Sequence, residues 1–207
     1  MNSKFLDLDK GRQDAVINAS LKAFAINGYK RASTDDIVKS AGISKGLLFH
    51  YFESKKGLYE FLHDYSVKYM SMELLRDVKG EPGNIFLLQK EVEKARIQVM
   101  KKYPYMQKFL NGAEKEAHTE AAQAIEHNCR NLREVYESLY EKITDNLLKA
   151  PADMERIRKI LEWVSQGVLQ DSLREEEVDF KKMEEELEGY MELFQECFLE
   201  QKEEEEV

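Results

Sequence analysis

Along most of this chain, apolar residues return every third or fourth position, the period of a helix with one buried face. Between Gly11 and Asn27 the inward positions are Val16, Ile17, Ala19, Ser20, Ala23 and Phe24. Gly28 stands where a left-handed residue would close that helix, and Tyr29 is placed to fold back over its last turn. Ser33 then caps a short helix with Ile37, Val38 and Ala41 inward. Gly42 allows a turn, and Ser44 caps a third helix whose inner positions are Leu48 and Phe52. Ser54 opens a fourth helix reaching about Val78, with Leu58, Phe61, Leu62, Tyr65, Tyr69 and Met72 in step.

Lys79-Gly80-Glu81-Pro82-Gly83 is the strongest break in the chain. Beyond it, Ile85, Leu88, Val92, Ala95, Val99 and Tyr103 predict a fifth helix, and Pro104 a bend into a short segment ending near Gly112. A long seventh helix is expected from Glu114 to Leu148, stopped by Pro151. Two more carry Ile157, Ile160, Leu161, Val164 and Val168, then Phe180, Met183, Leu187, Tyr190, Met191, Phe194, Cys197 and Phe198. No stretch alternates as a strand does. The expectation is an all-α protein of about nine helices. Residues 1–53 would form a three-helix helix-turn-helix domain, and 54–207 a larger helical domain for ligand binding and dimerisation.

Charge divides along the same line. The 207 residues carry a net charge of −9, which by itself disfavours nucleic acid. Yet residues 1–60 hold ten basic and seven acidic side chains, while the remainder holds 21 and 33. A mildly basic head on an acidic body suits a DNA reader. The N-terminus lacks a signal-peptide core and no apolar run approaches a membrane span, so a cytoplasmic protein without a membrane partner is expected. Cys129 and Cys197 match no metal spacing and read as reduced core residues.

Within the head, Lys45 and Lys55-Lys56 each follow a capping serine and so place a cation at a helix start that is already partly positive. A DNA phosphate would resolve that choice; exposed lysines of no special role are the plainer account. Gly46 lets the start of the third helix approach a base edge closely. His50 and Tyr51 lie off the Leu48–Phe52 face and carry hydrogen-bonding tips. The histidines do not make an enzyme. Glu60 and His63 form a lone Glu-x-x-His, and no nucleophile triad, phosphate loop or dinucleotide fingerprint is present. No cofactor and no metal are expected.

In the body, Phe86, Met100, Tyr103, Met106, Phe109, Tyr136, Tyr140 and Trp163 read either as ordinary core or as the lining of a largely apolar ligand cavity. The broad apolar faces of the last two helices, with Ile160, Val164, Val168, Met183, Leu187, Tyr190 and Phe194, either finish the core or pair with a second copy.

The first 60 positions resemble the DNA-binding domain of TetR-family transcriptional regulators. The matching residues are Ile17, Ala19, Phe24, Gly28-Tyr29, Thr34, Asp36-Ile37, Ala41-Gly42-Ile43-Ser44-Lys45-Gly46, Leu48-Phe49-His50-Tyr51-Phe52, Ser54-Lys55 and Leu58. The resemblance implies a nine-helix homodimeric repressor that binds a palindromic double-stranded DNA operator and is governed by an unidentified small-molecule effector. DNA contacts would fall on Thr34, Ser44, Lys45, Gly46, Phe49, His50, Tyr51 and Lys55. Two departures stand out. Phe49 lacks the hydroxyl of the tyrosine often found there, and Gly57 stands where an acidic residue often completes a cap, which predicts a fraying start to the fourth helix. Two rivals remain open: a helical interaction module whose basic head meets an acidic partner, and a regulator whose body binds a protein.

Overall fold

The computed structural model describes residues 3–80, 82–126, 129–143, 148–149, 154–175 and 177–200. Among these residues the regular elements are all helices. The segments are α1 (Ser3–Leu6), α2 (Lys10–Arg31), α3 (Thr34–Ala41), α4 (Lys45–Phe52), α5 (Lys55–Asp77) and α6 (Ile85–Lys102). They continue as α7 (Met106–Ala113), α8 (Thr119–Ile125), α9 (Cys129–Tyr140), α10 (Met154–Ser172) and α11 (Phe180–Phe198). Leu148 and Leu199 form an isolated bridge, with Lys149 N donating to Phe198 O at 3.0 Å. No helix among the described residues is long and apolar enough to cross a membrane.

Two compact units are present. One comprises residues 1–72 with 98–134, and the other 73–97 with 135–207. In the first, α2 packs against α3 and α7. An aromatic chain fills its centre: Tyr59 meets Phe24 edge-on at 5.0 Å, Tyr29 at 5.1 Å and Phe109 at 5.3 Å. Tyr103 is fully buried and donates its hydroxyl proton to Asp14 Oδ1 at 2.5 Å, with Tyr65 Oη 2.7 Å away. Burial, Asp14 and Tyr65 all push the Tyr103 phenol well above its ordinary pKa.

In the second unit, α10 and α11 pack on each other. Ile85, Phe86, Leu148, Ile157, Leu161 and Met191 form a buried apolar cluster. Asn84 begins α6 by accepting from the backbone of both Phe86 and Leu87 at 3.0 Å. Beside the apolar residues runs a closed polar network. Glu93 Oε1 accepts from Arg96 at 2.7 Å, Ser165 at 2.6 Å and Gln89 at 2.5 Å. Tyr140 donates to Gln89, and Arg96 donates to Tyr136 at 2.9 Å. Burial raises the Tyr140 phenol to about 12, against the opposing pull of Arg96.

The long seventh helix expected from Glu114 to Leu148 is two helices among the described residues. α8 starts only at Thr119, because the carboxylate of Glu116 is turned out of the helix path onto the backbone N–H groups of Tyr29 and His118. The stop assigned to Pro151 and the side chain of Cys129 lie outside the described residues. Cys197 is a free thiol on the surface, not a core residue, since Met183, Leu187 and Met191 make the inward row of α11.

Candidate nucleic-acid interface

Local chemistry builds the α3–α4 pair. Ser33 Oγ accepts from Asp36 N at 3.3 Å and Ser44 Oγ from Leu47 N at 3.1 Å, so each short helix is capped by its own serine. Between them Gly42 takes the left-handed conformation, φ 68 and ψ 31, which a side chain would oppose. Ile37 and Leu48, each 1% exposed, bury the inner faces. The result is a helix-turn-helix with α4 in the second position.

Its outer surface holds Ser44, Lys45, Gly46 and His50, all exposed. Thr34 and Phe49 are half-buried at its edge. An anion already stands beside Lys45: its ammonium lies 2.8 Å from Asp35 Oδ1, across the turn from α4 to α3. Both partners are solvated, so the pair is weak and open to exchange for a phosphate.

Tyr51 and Lys55 are less open than their sequence positions imply. Tyr51 is 8% exposed, with the ring of Phe5 edge-on at 5.6 Å. Lys55 sits 5.0 Å over the Tyr29 ring and donates to the Lys30 carbonyl at 3.2 Å, and burial lowers its pKa. A phosphate at Lys55 would compete with that carbonyl.

Phe5 is a residue that sequence reasoning missed. α1 lays it, fully buried, against Tyr51, Phe52 at 4.9 Å and Phe61 at 5.1 Å. Gln13 ties the segment down by donating to Leu6 O at 2.9 Å and Leu8 O at 2.8 Å. The only signal was a lone aromatic in a short polar stretch, which periodicity does not detect.

Gly57 has a different meaning from the expected loose cap. The α4–α5 turn is tight: Glu53 adopts φ 63, and Ser54 N donates to Phe52 O at 2.6 Å. Ser54 caps α5 by accepting from Gly57 N at 3.0 Å. A Cβ on Gly57 would lie 2.1 Å from the Phe52 carbonyl oxygen, so glycine is required by space.

The N-terminal residues 16–62 match the family model described as bacterial regulatory proteins, tetR family. That segment is similar to the DNA-binding domain of the TetR family. Over 48 residues it is 40% identical to the biofilm operon icaADBC HTH-type negative transcriptional regulator IcaR of Staphylococcus aureus, covering 23% of this chain and 26% of that one. Over 59 residues it is 36% identical to the HTH-type transcriptional regulator BetI of Yersinia pestis, covering 28% and 30%. The match thus spans about a quarter of the curated relatives' length. Solved TetR-family structures share the fold over nearly the whole chain. A regulator from Chloroflexus aurantiacus superposes with a TM-score of 0.62 at 19% identity, covering 96% of this chain and 98% of that one. A TetR-like regulator from Rhodococcus sp. RHA1 gives 0.59 at 18%, covering 90% and 95%.

The expected ligand residues divide between the two units. Met100, Tyr103, Met106 and Phe109 are buried in the first unit, while Phe86, Tyr136, Tyr140 and Trp163 belong to the second. The hydroxyls of Tyr103, Tyr136 and Tyr140 are already taken by Asp14, Arg96 and Gln89. Trp163 lines no interior: it is 61% exposed, because the inward row of α10 is Ile157, Leu161, Ser165, Val168 and Leu169. Of the expected dimer residues, Val168, Met183 and Leu187 are buried within the chain itself. Ile160, Val164 and Phe194 are half-buried, and Tyr190 is exposed together with Leu193.

Proposed function

We propose that this chain is a DNA-binding transcriptional repressor of the TetR family, working in the cytoplasm rather than as an enzyme. The observation that carries the reading is the outward edge of a serine-capped α4, where Lys45, Gly46 and His50 stand exposed on the second helix of a helix-turn-helix. Residues 1–53 read DNA, and 54–207 bind an effector and a second copy. The negative regulator among its relatives supports repression over activation.

Thr34, Ser44, Lys45, Gly46, Phe49 and His50 make the contacts, with Tyr51 and Lys55 contributing from the margin. Two heads on a homodimer read a palindromic operator whose half-sites lie about one helical turn apart. The outward apolar side chains Trp163, Tyr190 and Leu193 on α10 and α11 support that pairing. A largely apolar small molecule, bound in the helical body, changes the separation of the heads. It acts as a switch only by binding the two states with different affinity. Selection from random duplex DNA tests the reading: a palindromic consensus is expected, and no enrichment overturns it. Sedimentation as a monomer at micromolar concentration contradicts the dimer, and native mass spectrometry of the purified protein shows whether a small ligand is retained.

A further inference from the structure

The corner between α2 and α3 is gripped from outside the segment that matches the family. α2 breaks at Gly28, whose φ is 67, and the next backbone N–H, that of Tyr29, donates to Glu116 Oε2 at 3.0 Å. The other oxygen of the same carboxylate accepts from His118 N at 3.0 Å. Glu116, in the α7–α8 loop, therefore reaches the α2–α3 corner with one oxygen while the other fixes its carboxylate to the backbone of its own loop. The Tyr29 ring, 4% exposed, is packed between Phe24 at 6.1 Å, Tyr59 at 5.1 Å and His118 at 5.0 Å. Burial and the nearby Glu120 of α8 raise the pKa of its hydroxyl, and Lys55 at the start of α5 covers its face.

Only a carboxylate meets both N–H groups without presenting a donor of its own. A glutamine has one acceptor oxygen and would turn its NH2 toward a backbone N–H. Desolvation pushes the Glu116 carboxyl upward, but the donors from Tyr29 and His118 outweigh it and hold the pKa below the ordinary value. The grip is thus charged at neutral pH. Tyr29 is four residues before Ser33, the cap on which α3 begins.

We propose that Glu116 is a positioning residue for DNA reading, fixing the attitude of α3 and α4 by clamping their entry corner to the α7–α8 loop. The proposal rests on the DNA-binding reading above. It also supplies a route by which movement of that loop reaches the recognition helix without any contact between effector and DNA.

The test uses full-length protein, the duplex recovered by wild type from random DNA, and a scrambled duplex of the same length. Glu116→Ala lowers affinity for the recovered duplex by roughly tenfold, the scale of one charge-assisted hydrogen bond, and Glu116→Gln by less. Affinity for scrambled DNA stays within about twofold, because non-specific binding depends on phosphate charge and not on the pose of α4. Hydrogen exchange at the Tyr29 amide quickens in both variants. Unchanged operator affinity in both variants, or an equal loss on both duplexes, overturns the proposal. A wild-type chain that recovers no duplex at all brings down the DNA reading first, and the exchange rate at Tyr29 then reports separately whether the clamp exists.

Discussion

The outer edge of α4 and the interior of the second unit treat polar side chains in opposite ways. On α4, Lys45 and His50 are exposed, and the ion pair to Asp35 is solvated. Around Glu93, which is 4% exposed, every polar group is answered by another: Arg96, Gln89 and Ser165 converge on one carboxylate. Coulomb attraction is weak in water and strong in a dry interior. The first region therefore spends little stability on its charges and can exchange partners, whereas the second is committed to one arrangement. An exposed cation beside a weak partner is suited to meeting phosphate, and a closed buried network is suited to holding a fold.

Removing one member of the closed network is the hardest test of this contrast. Glu93→Ala leaves the largely buried Arg96 without its anion and costs about 3 kcal/mol, read as a fall in the urea midpoint. A variant as stable as wild type contradicts the network's structural role. Phe5→Ala removes a fully buried ring from behind Tyr51 and Phe52, at about 3 kcal/mol. It also weakens operator binding, because the rear support of α4 is lost; full DNA affinity in a folded variant would show that α1 is dispensable. Gly57→Ala forces the α4–α5 turn apart and destabilises by about 1–3 kcal/mol, the cost of overpacking. Had glycine merely been a poor cap, alanine would stabilise α5 instead.

At the exposed edge the balance reverses. Lys45→Ala changes stability by no more than about 1 kcal/mol, but lowers DNA affinity and makes its salt dependence shallower by about one unit of slope. The smallest effect is on acid sensitivity. Desolvation raises the Asp14 carboxyl, but hydrogen bonds from Tyr103 and Lys10 bring it below the ordinary value. Its stabilising contribution is therefore present above the normal aspartate range and is lost as pH falls through the lower folded value. Asp14→Asn flattens that acid limb, measured as melting temperature against pH between about 5 and 2.

What was legible in the sequence was short-range. The serine caps at Ser33, Ser44 and Ser54 and the positive φ of Gly28 and Gly42 depend on neighbours within a few residues, so their chemistry is written locally. Family likeness added the order of those elements over residues 16–62. What was not legible depends on partners far along the chain. Phe5 is meaningful only against Phe61, Gly57 only against a carbonyl brought close by the turn, and Glu116 only against Tyr29. In the body, a helical stripe reports that a residue is apolar but not which apolar neighbour covers it. That is why Met183 and Leu187 serve the chain's own core while Trp163 faces out.

The proposed regulator depends on α4 reading DNA. The direct measurement is a fluorescence titration of the selected palindromic duplex and its scrambled counterpart, with wild type, Lys45→Ala and His50→Ala across a salt series. The prediction is preference for the palindrome by wild type, lost or altered in His50→Ala, and weaker binding to both duplexes with a shallower salt dependence in Lys45→Ala, with melting temperatures little changed. Equal affinity of wild type for both duplexes, or variants indistinguishable from wild type at every salt concentration, would contradict it.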